Sequence, residues 1–190
     1  YDILKCQEYG IPQSRERLII VGTKKSLNIK YKFPEKVDNK PNLKDIIKFN
    51  MEGSLKIDIE DFDMTTIPKE CIIKNLNNDE TEDLEDKNKK PHPNLISLAK
   101  KRDYVYKGTE YPNRLTFGKR IPVGGEIIDI RNPSKTIICT YARQPRLFVP
   151  LQNKNGYYLR CLLPDELKQI QGFPKDYKLS GDKNKKIIQI

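Results

Sequence analysis

Arginines are the residues of this sequence whose type and spacing could do chemistry. Nine of the 36 basic residues are arginine, and the first group is Arg15 with Arg17, directly before an apolar run at residues 18–21. A guanidinium presents a planar fork of donors that fits a phosphate or a base edge, which a lysine ammonium cannot copy. Alternate residues of a strand face the same side, so both groups can point into one cleft. The alternative is a pair of structural salt bridges, for instance with Glu8 or Glu16.

The charge of the chain indicates a polyanionic partner. The 190 residues carry a formal net charge of +10, and residues 87–160 concentrate it, with sixteen basic residues against four acidic ones. The other seven arginines all lie in this stretch. It follows residues 79–86, which have six carboxylates in eight positions and are expected to form a mobile surface insertion, because they cannot bury a core. The basic stretch favours nucleic acid as the partner.

The composition also excludes several classes of protein. No run approaches the ~18 apolar residues of a membrane span, so we expect no membrane partner. The four cysteines lie far apart with no Cys-x-x-Cys pair, which argues against a zinc site and favours free thiols in a reducing compartment. His92 lies between two prolines, so a loop position is expected rather than a ligand or a base. We therefore expect no bound metal.

Four segments have clear secondary-structure patterns. Residues 18–21, ended by Gly22, predict a short buried strand. Residues 126–130 and 136–141 alternate or are β-branched, which predicts two further strands. Residues 164–171 predict a helix, because proline takes the first position and acidic residues follow at its positive end. The pattern predicts an α+β fold with much irregular loop.

Two ordered motifs resemble those of the DNA cytosine-5 methyltransferases. Residues 9–17, Tyr-Gly-Ile-Pro-Gln-Ser-Arg-Glu-Arg, resemble motif VIII, the Gln-x-Arg-x-Arg element. Residues 160–166, Arg-Cys-Leu-Leu-Pro-Asp-Glu, with Gln-Gly-Phe-Pro at 171–174, resemble motif IX. Residues 132–137 are similar to the segment that leads into motif IX, and residues 185–190 to the approach to motif X. The resemblance spans nearly the whole chain, although the middle matches in character rather than in residues.

The resemblance implies roles for residues of both motifs. Arg17 is expected to contact the ring of a flipped cytosine, and Arg15 to support the pocket or the DNA backbone. Structural roles are expected for Gly10, Pro12 and Gln13 of motif VIII and for Arg160, Glu166 and Gln171 of motif IX. The chain departs from the family at Leu163, where threonine is usual, so the usual side-chain cap of the motif IX helix is absent. Asp165 likewise stands where arginine is common.

The resemblance also implies that the chemistry lies outside this sequence. In the family a cysteine attacks C6 of the flipped cytosine and S-adenosylmethionine gives its methyl group to C5. These motifs precede motif VIII, so the cofactor S-adenosylmethionine and the nucleophile are expected in an N-terminal catalytic part of the same protein. Cys6 is expected to be a small apolar residue.

The fold implied is an edge strand of the large α/β catalytic domain followed by a small irregular target-recognition domain. Residues 1–45 would be the motif VIII segment at the edge of the catalytic domain, and residues 46–90 a variable segment with the acidic insertion. Residues 91–159 would form the target-recognition region, and residues 160–190 the motif IX helix and the approach to motif X.

Two loops of the basic region are the predicted readers of DNA sequence. The first, at residues 104–125, carries Arg114, Lys119 and Arg120, and the second, after the predicted strand at 136–141, carries Arg143, Gln144 and Arg146. Arginine to guanine and glutamine to adenine are the commonest direct contacts in the major groove. We expect base contacts from Arg143 and Arg120. For Lys119, Arg114 and Arg146, base contact and phosphate contact remain open.

The predicted function is therefore recognition of double-stranded DNA, and one wall of the cytosine pocket, in a DNA (cytosine-5-)-methyltransferase. One alternative is a non-catalytic DNA-binding subunit of a split methyltransferase. Another is a fragment of a tRNA cytosine methyltransferase, against which the long basic region argues. The expected compartment is the cytoplasm or nucleoid, or the nucleus in a eukaryote.

Overall fold

The fold is built around one long strand in the second half of the chain. The computed structural model describes residues 1–38, 41–75 and 90–190, so the acidic segment at 79–86 lies outside the described residues. The strands are β1 (Asp2–Lys5), β2 (Gln13–Ser14), β3 (Glu16–Ile19), β4 (Leu55–Lys56), β5 (Ile73–Lys74), β6 (Tyr104–Tyr106), β7 (Thr109–Tyr111), β8 (Leu115–Phe117), β9 (Gly125–Ile127), β10 (Ser134–Lys135), β11 (Leu147–Asn153) and β12 (Gly156–Cys161). The α-helices are α1 (Pro93–Ala99), α2 (Pro164–Ile170) and α3 (Lys183–Gln189), and short 3-10 helices cover Cys6–Tyr9, Lys25–Leu27, Met64–Thr66 and Lys69–Cys71. This mixture of sheets with few helices confirms the α+β class.

The largest sheet has six strands arranged around β11. β12 pairs antiparallel with one edge of β11, from Phe148 opposite Cys161 to Asn153 opposite Gly156, and β4 continues the sheet beyond β12. On the other edge, β9 and β5 pair parallel with successive parts of β11, and β8 lies beyond β9. Residues 147–151 are all apolar and all buried, so both faces of β11 are covered by other parts of the chain. The residues that attach to this sheet are thus held on a buried, hydrogen-bonded frame.

Helix α1 packs on one face of this sheet, and Gly125 allows the close approach. A Cβ on Gly125 would lie 2.6 Å from the ring of Phe148 and 3.2 Å from Leu98 of α1, so a larger residue would push these elements apart. Leu95 and Leu98 of α1 are fully covered. Because side chains alternate along β9, Glu126 points to the opposite face of the sheet.

The apolar run at residues 18–21 is exposed, which makes the prediction of a buried strand wrong. β3 ends at Ile19 and pairs only with β1, so that a two-stranded ribbon forms. Leu18 is 56% exposed and Ile20 is 74% exposed, and Ile3 on the partner strand is 55% exposed. A ribbon of two strands has no second layer of its own, and no described part of the chain covers these side chains. We call β1 and β3 the edge ribbon.

The strand predicted at residues 136–141 is also wrong. The strand in this region is β10, two residues earlier, which pairs parallel with β2. After β10 the chain runs to a turn that starts at Cys139, and the hydroxyl of Thr136 donates to the carbonyl oxygen of Ser14 at 3.0 Å. Since β2 has only two residues, the ladder cannot continue along the apolar sequence. The strand predicted at 126–130 exists, but it is β9 and ends at Ile127.

The segment at residues 104–125 is more regular than predicted. β6 and β7 form a hairpin, in which Tyr104 stacks on Tyr111 with ring centroids 4.9 Å apart. The hairpin turns at Lys107 and Gly108, which both have positive φ, as a two-residue turn between right-twisted strands requires. β8 then joins the six-stranded sheet. Alternation in these short strands was hidden in the sequence by the intervening glycines and prolines.

The helix predicted at residues 164–171 is confirmed as α2, with Gln171 as its C-cap. Leu163 precedes it and has no side-chain acceptor, but its backbone N–H donates to Glu166 Oε2 at 2.8 Å. One of the two hydrogen bonds of a capping box is therefore present, from the Leu163 N–H to the Glu166 side chain. The other, from a backbone N–H of the helix to a threonine side chain, is absent because residue 163 is leucine. None of the helices in the described part of the chain is long and apolar enough to cross a bilayer.

A buried ion pair joins β12 to α2. Arg160 is fully buried, and its Nη1 and Nη2 donate to the two carboxylate oxygens of Glu166 at 2.8 and 2.6 Å. The other three donors of the guanidinium reach the carbonyl oxygens of Cys161, Asn50 and Lys48, each at 2.9 Å. All five donors of this arginine are satisfied. The pair fixes the start of α2 against the sheet and against residues 48–50.

Candidate nucleic-acid interface

Arg15 and Arg17 lie at one open cavity of about 860 Å³. Arg15 connects β2 to β3 and is half-buried, whereas Arg17 lies in β3 and is exposed. Other lining residues include Thr136, Cys139 and Gln171. The cavity therefore lies between the motif VIII segment, the chain after β10 and the end of α2.

The two arginines are not held in salt bridges. Glu16 pairs with Lys5 at 3.4 Å, and Glu8 pairs with Lys36 at 2.8 Å. Among the described residues, no carboxylate lies within 4.0 Å of Arg15 or Arg17. Arg17 Nη1 donates instead to the backbone oxygen of Glu16 at 2.7 Å, which leaves most of its donors for a ligand. The alternative of structural ion pairs thus has no support in this geometry.

The motif VIII segment is tied to the motif IX segment through a pair of amides. Gln13 is 1% exposed, and its Nε2 donates to Gln171 Oε1 at 3.1 Å. A Cβ on Gly172 would lie 3.2 Å from the side chain of Ile11, and the φ of Gly172 is +85°, so this position also requires glycine. These contacts hold the segment that carries both arginines against the end of α2.

Gly10 and Pro12 shape the chain ahead of these contacts. Gly10 has a φ of +79° and ends the 3-10 helix Cys6–Tyr9, a conformation that favours glycine. The carbonyl oxygen of Pro12 accepts from the N–H of Ser134 at 2.9 Å, which aligns β2 with β10. Both residues therefore set the path of the backbone.

Arg143 and Gln144 lie exposed in a turn after residue 139. Their backbone N–H groups both donate to the carbonyl oxygen of Thr140, at 3.0 and 2.8 Å. The two residues occupy consecutive positions of this turn, and Cys139 and Tyr141 of the same turn line the cavity at Arg15 and Arg17. The predicted second reading loop is thus a tight turn near the candidate cytosine pocket.

This turn is anchored at both ends by buried hydrogen bonds. Tyr141 is 5% exposed; its hydroxyl donates to the carbonyl oxygen of Leu147 and accepts from the N–H of Leu162, each at 3.0 Å. After the turn, Asn94 Nδ2 donates to the carbonyl oxygen of Pro145 at 2.6 Å. Sequence reasoning did not assign Tyr141 or Asn94 a role, because a partner of each lies far along the chain: Leu162, just after β12, for Tyr141, and Pro145, before β11, for Asn94. These anchors give the turn a fixed position on the sheet.

The residues of the first predicted loop fall into two kinds. Arg114 Nη2 donates to the carbonyl oxygen of Val123 at 3.0 Å, and the guanidinium lies over the ring of Tyr104 at 5.8 Å from its centroid. Arg114 is therefore already engaged within the chain. Lys119 is exposed and Arg120 is half-buried, in the turn after β8.

Arg120 and Arg146 influence each other although they belong to different loops. The pKa of the Arg120 guanidinium is lowered, first by burial and then by the positive charge of Arg146, while Glu126 acts in the opposite direction. Arg146 directly precedes β11, and its carbonyl oxygen accepts from the N–H of Glu126 at 2.7 Å. The strands next to the two predicted reading loops are neighbours in the sheet, because β8 and β11 both pair with β9. Glu126 was not predicted as a site residue. The sequence feature that could have indicated it is a single acidic residue between two glycines and two isoleucines, at residues 124–128.

The cavity at Arg15 and Arg17 does not suit the positive charge of a methyl donor. S-adenosylmethionine carries a sulfonium cation, whereas the cavity at Arg15 and Arg17 is lined by two guanidinium groups and by no aspartate or glutamate side chain. Like charges repel in such a site. No group of three or more His, Cys, Asp or Glu residues with the spacing for a metal ion occurs in the residues that the structure describes.

Comparison with known proteins identifies the family of this chain. A family model described as C-5 cytosine-specific DNA methylase matches residues 1–190. A DNA (cytosine-5)-methyltransferase of Dictyostelium discoideum is 30% identical over 191 residues, which cover 93% of this chain and 48% of that protein. The type II methyltransferase M.MthTI of Methanothermobacter thermautotrophicus is 43% identical over 47 residues, or 25% of this chain and 14% of that protein. The chain therefore spans no more than about half the length of these relatives. Since the family match covers every residue, the chain belongs to the C-5 cytosine-specific DNA methylase family.

Proposed function

We propose that this chain is the DNA-recognition part of a cytosine-5 methyltransferase and forms one wall of its target-cytosine pocket. The methyl group would come from S-adenosylmethionine, held by an N-terminal catalytic part of the same protein. Double-stranded DNA is the proposed substrate. The observation that carries the proposal is the open cavity at which Arg15 and Arg17 lie without carboxylate partners among the described residues.

The cavity suits an extruded base and its phosphates. An enzyme that modifies a base inside a duplex must take that base out of the stack, and it then holds the base by hydrogen bonds. Arg17 is exposed at the cavity and would donate to the cytosine ring, while the half-buried Arg15 would support the pocket or a phosphate. The Gln13–Gln171 bond would keep both side chains in place against α2.

The turn at residues 140–144 suits direct readout of bases. Arg143 and Gln144 are exposed, and the backbone around them is held by Tyr141 and Asn94. A base contact needs this combination of a free side chain and a fixed backbone, because disorder in the loop would cost binding free energy. Arg143 would read a guanine, while Lys119 and Arg146 would contact bases or phosphates.

The catalytic part would cover the edge ribbon. Ile3 and Leu18 lie opposite each other in the paired strands, exposed by 55% and 56%, and Leu18 directly follows Arg17 in the chain. Exposed apolar side chains of this kind mark a contact surface. The donor site that this cavity does not fit would lie in the same catalytic part.

Binding of the purified chain to labelled duplex DNA tests the proposal. We expect binding that weakens steeply with salt, as contacts to phosphates require. The same measurement with an unmodified tRNA distinguishes the nearest alternative. Tighter binding of the tRNA than of any duplex would exclude the proposed substrate.

The substitution Arg143→Ala tests the reading turn. A correct base contact is worth about 1–3 kcal/mol, so the preference for one base pair of the best duplex should fall by roughly 5- to 150-fold. Binding to unrelated duplexes should change little, because phosphate contacts remain. Arg102→Ala is the matched control, since Arg102 is exposed in the same basic region and bonds only the Ser97 hydroxyl at 3.2 Å among the contacts described. An equal loss on all duplexes in Arg143→Ala would contradict the base-contact role.

A further inference from the structure

The one histidine of the chain, His92, is the N-cap of helix α1. Its Nδ1 accepts a hydrogen bond from the N–H of Asn94 at 3.1 Å. A ring nitrogen that accepts carries no proton, so this bond requires the neutral form of the imidazole. Serine, threonine, aspartate and asparagine are the usual N-caps, and none of them changes charge near neutral pH. The cap of α1 therefore responds to pH in a way that an ordinary cap does not.

The residue that His92 caps also holds the turn that carries Arg143 and Gln144. Asn94 Nδ2 donates to the carbonyl oxygen of Pro145 at 2.6 Å, directly after these two residues. Pro145 is buried, whereas Arg143 and Gln144 are exposed. Asn94 thus receives the cap through its backbone and fixes the turn through its side chain.

The imidazole also bonds the turn on its other side. The backbone of Ala142, directly before Arg143, forms a hydrogen bond with the ring, and this bond raises the pKa of His92. A bond that favours the protonated ring is one in which the ring donates, so the acceptor is the carbonyl oxygen of Ala142. Since Nδ1 accepts from Asn94, the donor is Nε2. The start of α1 therefore holds the backbone on both sides of the two exposed side chains.

Helix α1 provides a fixed support for these contacts. Leu95, Leu98 and Ala99 are buried in the main core of the chain. The carbonyl oxygen of His92 accepts from the N–H of Ile96 at 3.1 Å, which joins the cap to the first turn of the helix. The position of the imidazole is thus set by the packing of α1 on the sheet.

The surroundings of the imidazole favour its neutral form. Burial lowers the pKa of His92 below the ordinary 6.5, the bond to Ala142 opposes this, and the ammonium of Lys183 in α3 adds to the lowering. Lys183 is itself paired with Glu52 at 3.0 Å. Because the folded pKa is lowered, the stability that the neutral ring adds is present above pH 6.5 and is lost as the pH falls through the folded pKa.

We propose that His92 is a positioning residue for sequence recognition, whose neutral imidazole fixes, through Asn94, the turn that presents Arg143 to the DNA bases. This inference rests on the proposed function. Protonation of the ring removes the acceptor at Nδ1, so the first turn of α1 is released and Asn94 no longer holds Pro145 in one position. The chain would still bind DNA through its phosphate contacts, but with less preference for one sequence.

The experiment measures the ratio of two affinities, for the preferred duplex selected from a randomised library and for an unrelated duplex, at pH 8 and at pH 5. We expect the wild-type ratio to fall about threefold or more at pH 5, because the loss of an N-cap corresponds to about 2- to 30-fold in an equilibrium constant. His92→Asn supplies a cap that does not titrate, so its ratio should stay within about twofold of wild type at pH 8 and remain there at pH 5. His92→Ala should have a reduced ratio at both pH values.

Two further variants separate positioning from stability. In the Arg143→Ala background, His92→Ala should cause little further loss of preference for the base pair that Arg143 reads, because both act through the same turn. Asn42→Ala is the matched control. Asn42 Oδ1 likewise accepts from the N–H two residues ahead, that of Lys44, at 2.9 Å, and the loss of this bond should leave the ratio unchanged.

Three results would overturn the inference. One is a wild-type ratio that is the same at pH 8 and pH 5, and another is an equal pH dependence in His92→Asn, which would assign the effect to a different group. The third is an equal loss of affinity for both duplexes in His92→Ala. If His92→Ala does not fold, the pH profiles of the wild type and His92→Asn decide alone. A wild-type chain that binds all duplexes equally at pH 8 would instead refute the proposed function itself, and the inference with it.

Discussion

Replacement of Arg160 by methionine is expected to destabilise the chain severely. The side chain is fully buried, and each of its five donors has an acceptor, two of them the oxygens of Glu166. Methionine has similar length but no donor. The substitution leaves the carboxylate of Glu166 buried beside an apolar side chain, and it leaves the carbonyl oxygens of Lys48 and Asn50 without this donor.

The size of the effect follows from the broken ion pair. Removing one partner of a buried pair costs about 3–5 kcal/mol, because the other charge stays buried without compensation. In a chain of this length, each kcal/mol corresponds to roughly 2–4 °C in melting temperature, so a decrease of about 6–20 °C is expected. Glu166 keeps one bond, from the N–H of Leu163, which is too little to offset the loss.

Urea and thermal denaturation of purified variants measure this effect. Arg102→Met is the control for the substitution itself, since Arg102 is exposed, and it should change the free energy of unfolding by less than about 0.5 kcal/mol. The double variant Arg160→Met with Glu166→Met should lose less than the sum of its single variants, by about 0.5–3 kcal/mol. A loss below about 1 kcal/mol in Arg160→Met, or strict additivity in the double variant, would refute the reasoning.

Two further predictions concern a carboxylate and the cysteine thiols. Hydrogen bonds from Arg131 lower the pKa of Asp129 to about 2 from the ordinary 3.8, so the stability that this carboxylate adds is present above pH 3.8 and is lost as the pH falls toward 2. Asp129→Asn should thus be less stable than wild type at pH 7, and the difference in free energy of unfolding, measured by urea denaturation, should shrink as the pH falls from 3.8 toward 2. A difference that does not change with pH would contradict the ionic origin. Burial raises the pKa of Cys71 and Cys161 to about 11. The exposed Cys139 should therefore react with a thiol reagent at pH 8 much faster than Cys71 or Cys161. Equal reaction rates of the three thiols would contradict the burial of Cys71 and Cys161.

Local sequence patterns were enough to predict the elements whose ends are marked by proline, glycine or capping residues. The proline, the two acids and the glycine around residues 164–172 predicted α2, and the bonds of Glu166 show how the helix starts without a threonine cap. The spacing of Arg15 and Arg17 predicted that both reach one cleft, and both line one cavity. These features depend on neighbours within a few residues, which a sequence displays directly.

Other predictions failed because burial is decided by distant partners. The apolar run at residues 18–21 looked like a core strand, but only β1 pairs with it, and the edge ribbon stays exposed. Residues 136–141 had the composition of a strand, but the ladder ends with the two residues of β2. A pattern of apolar residues shows the capacity for burial and does not show whether a second layer is present.

The sequence by itself determined the family resemblance, the basic character of the region between the motifs, and the residues able to contact phosphates and bases, since these depend on residue type and order. The tertiary structure decided which of those residues are free to bind. It engages Arg114 with Val123 and Tyr104, and it leaves Arg143 exposed on an anchored turn. It also buries Glu126 beside Arg146, a contact between residues twenty positions apart that arises only because β9 and β11 pair. Charge is a property of the chain, whereas the partner of each charge is set by the packing of strands that the sequence does not display.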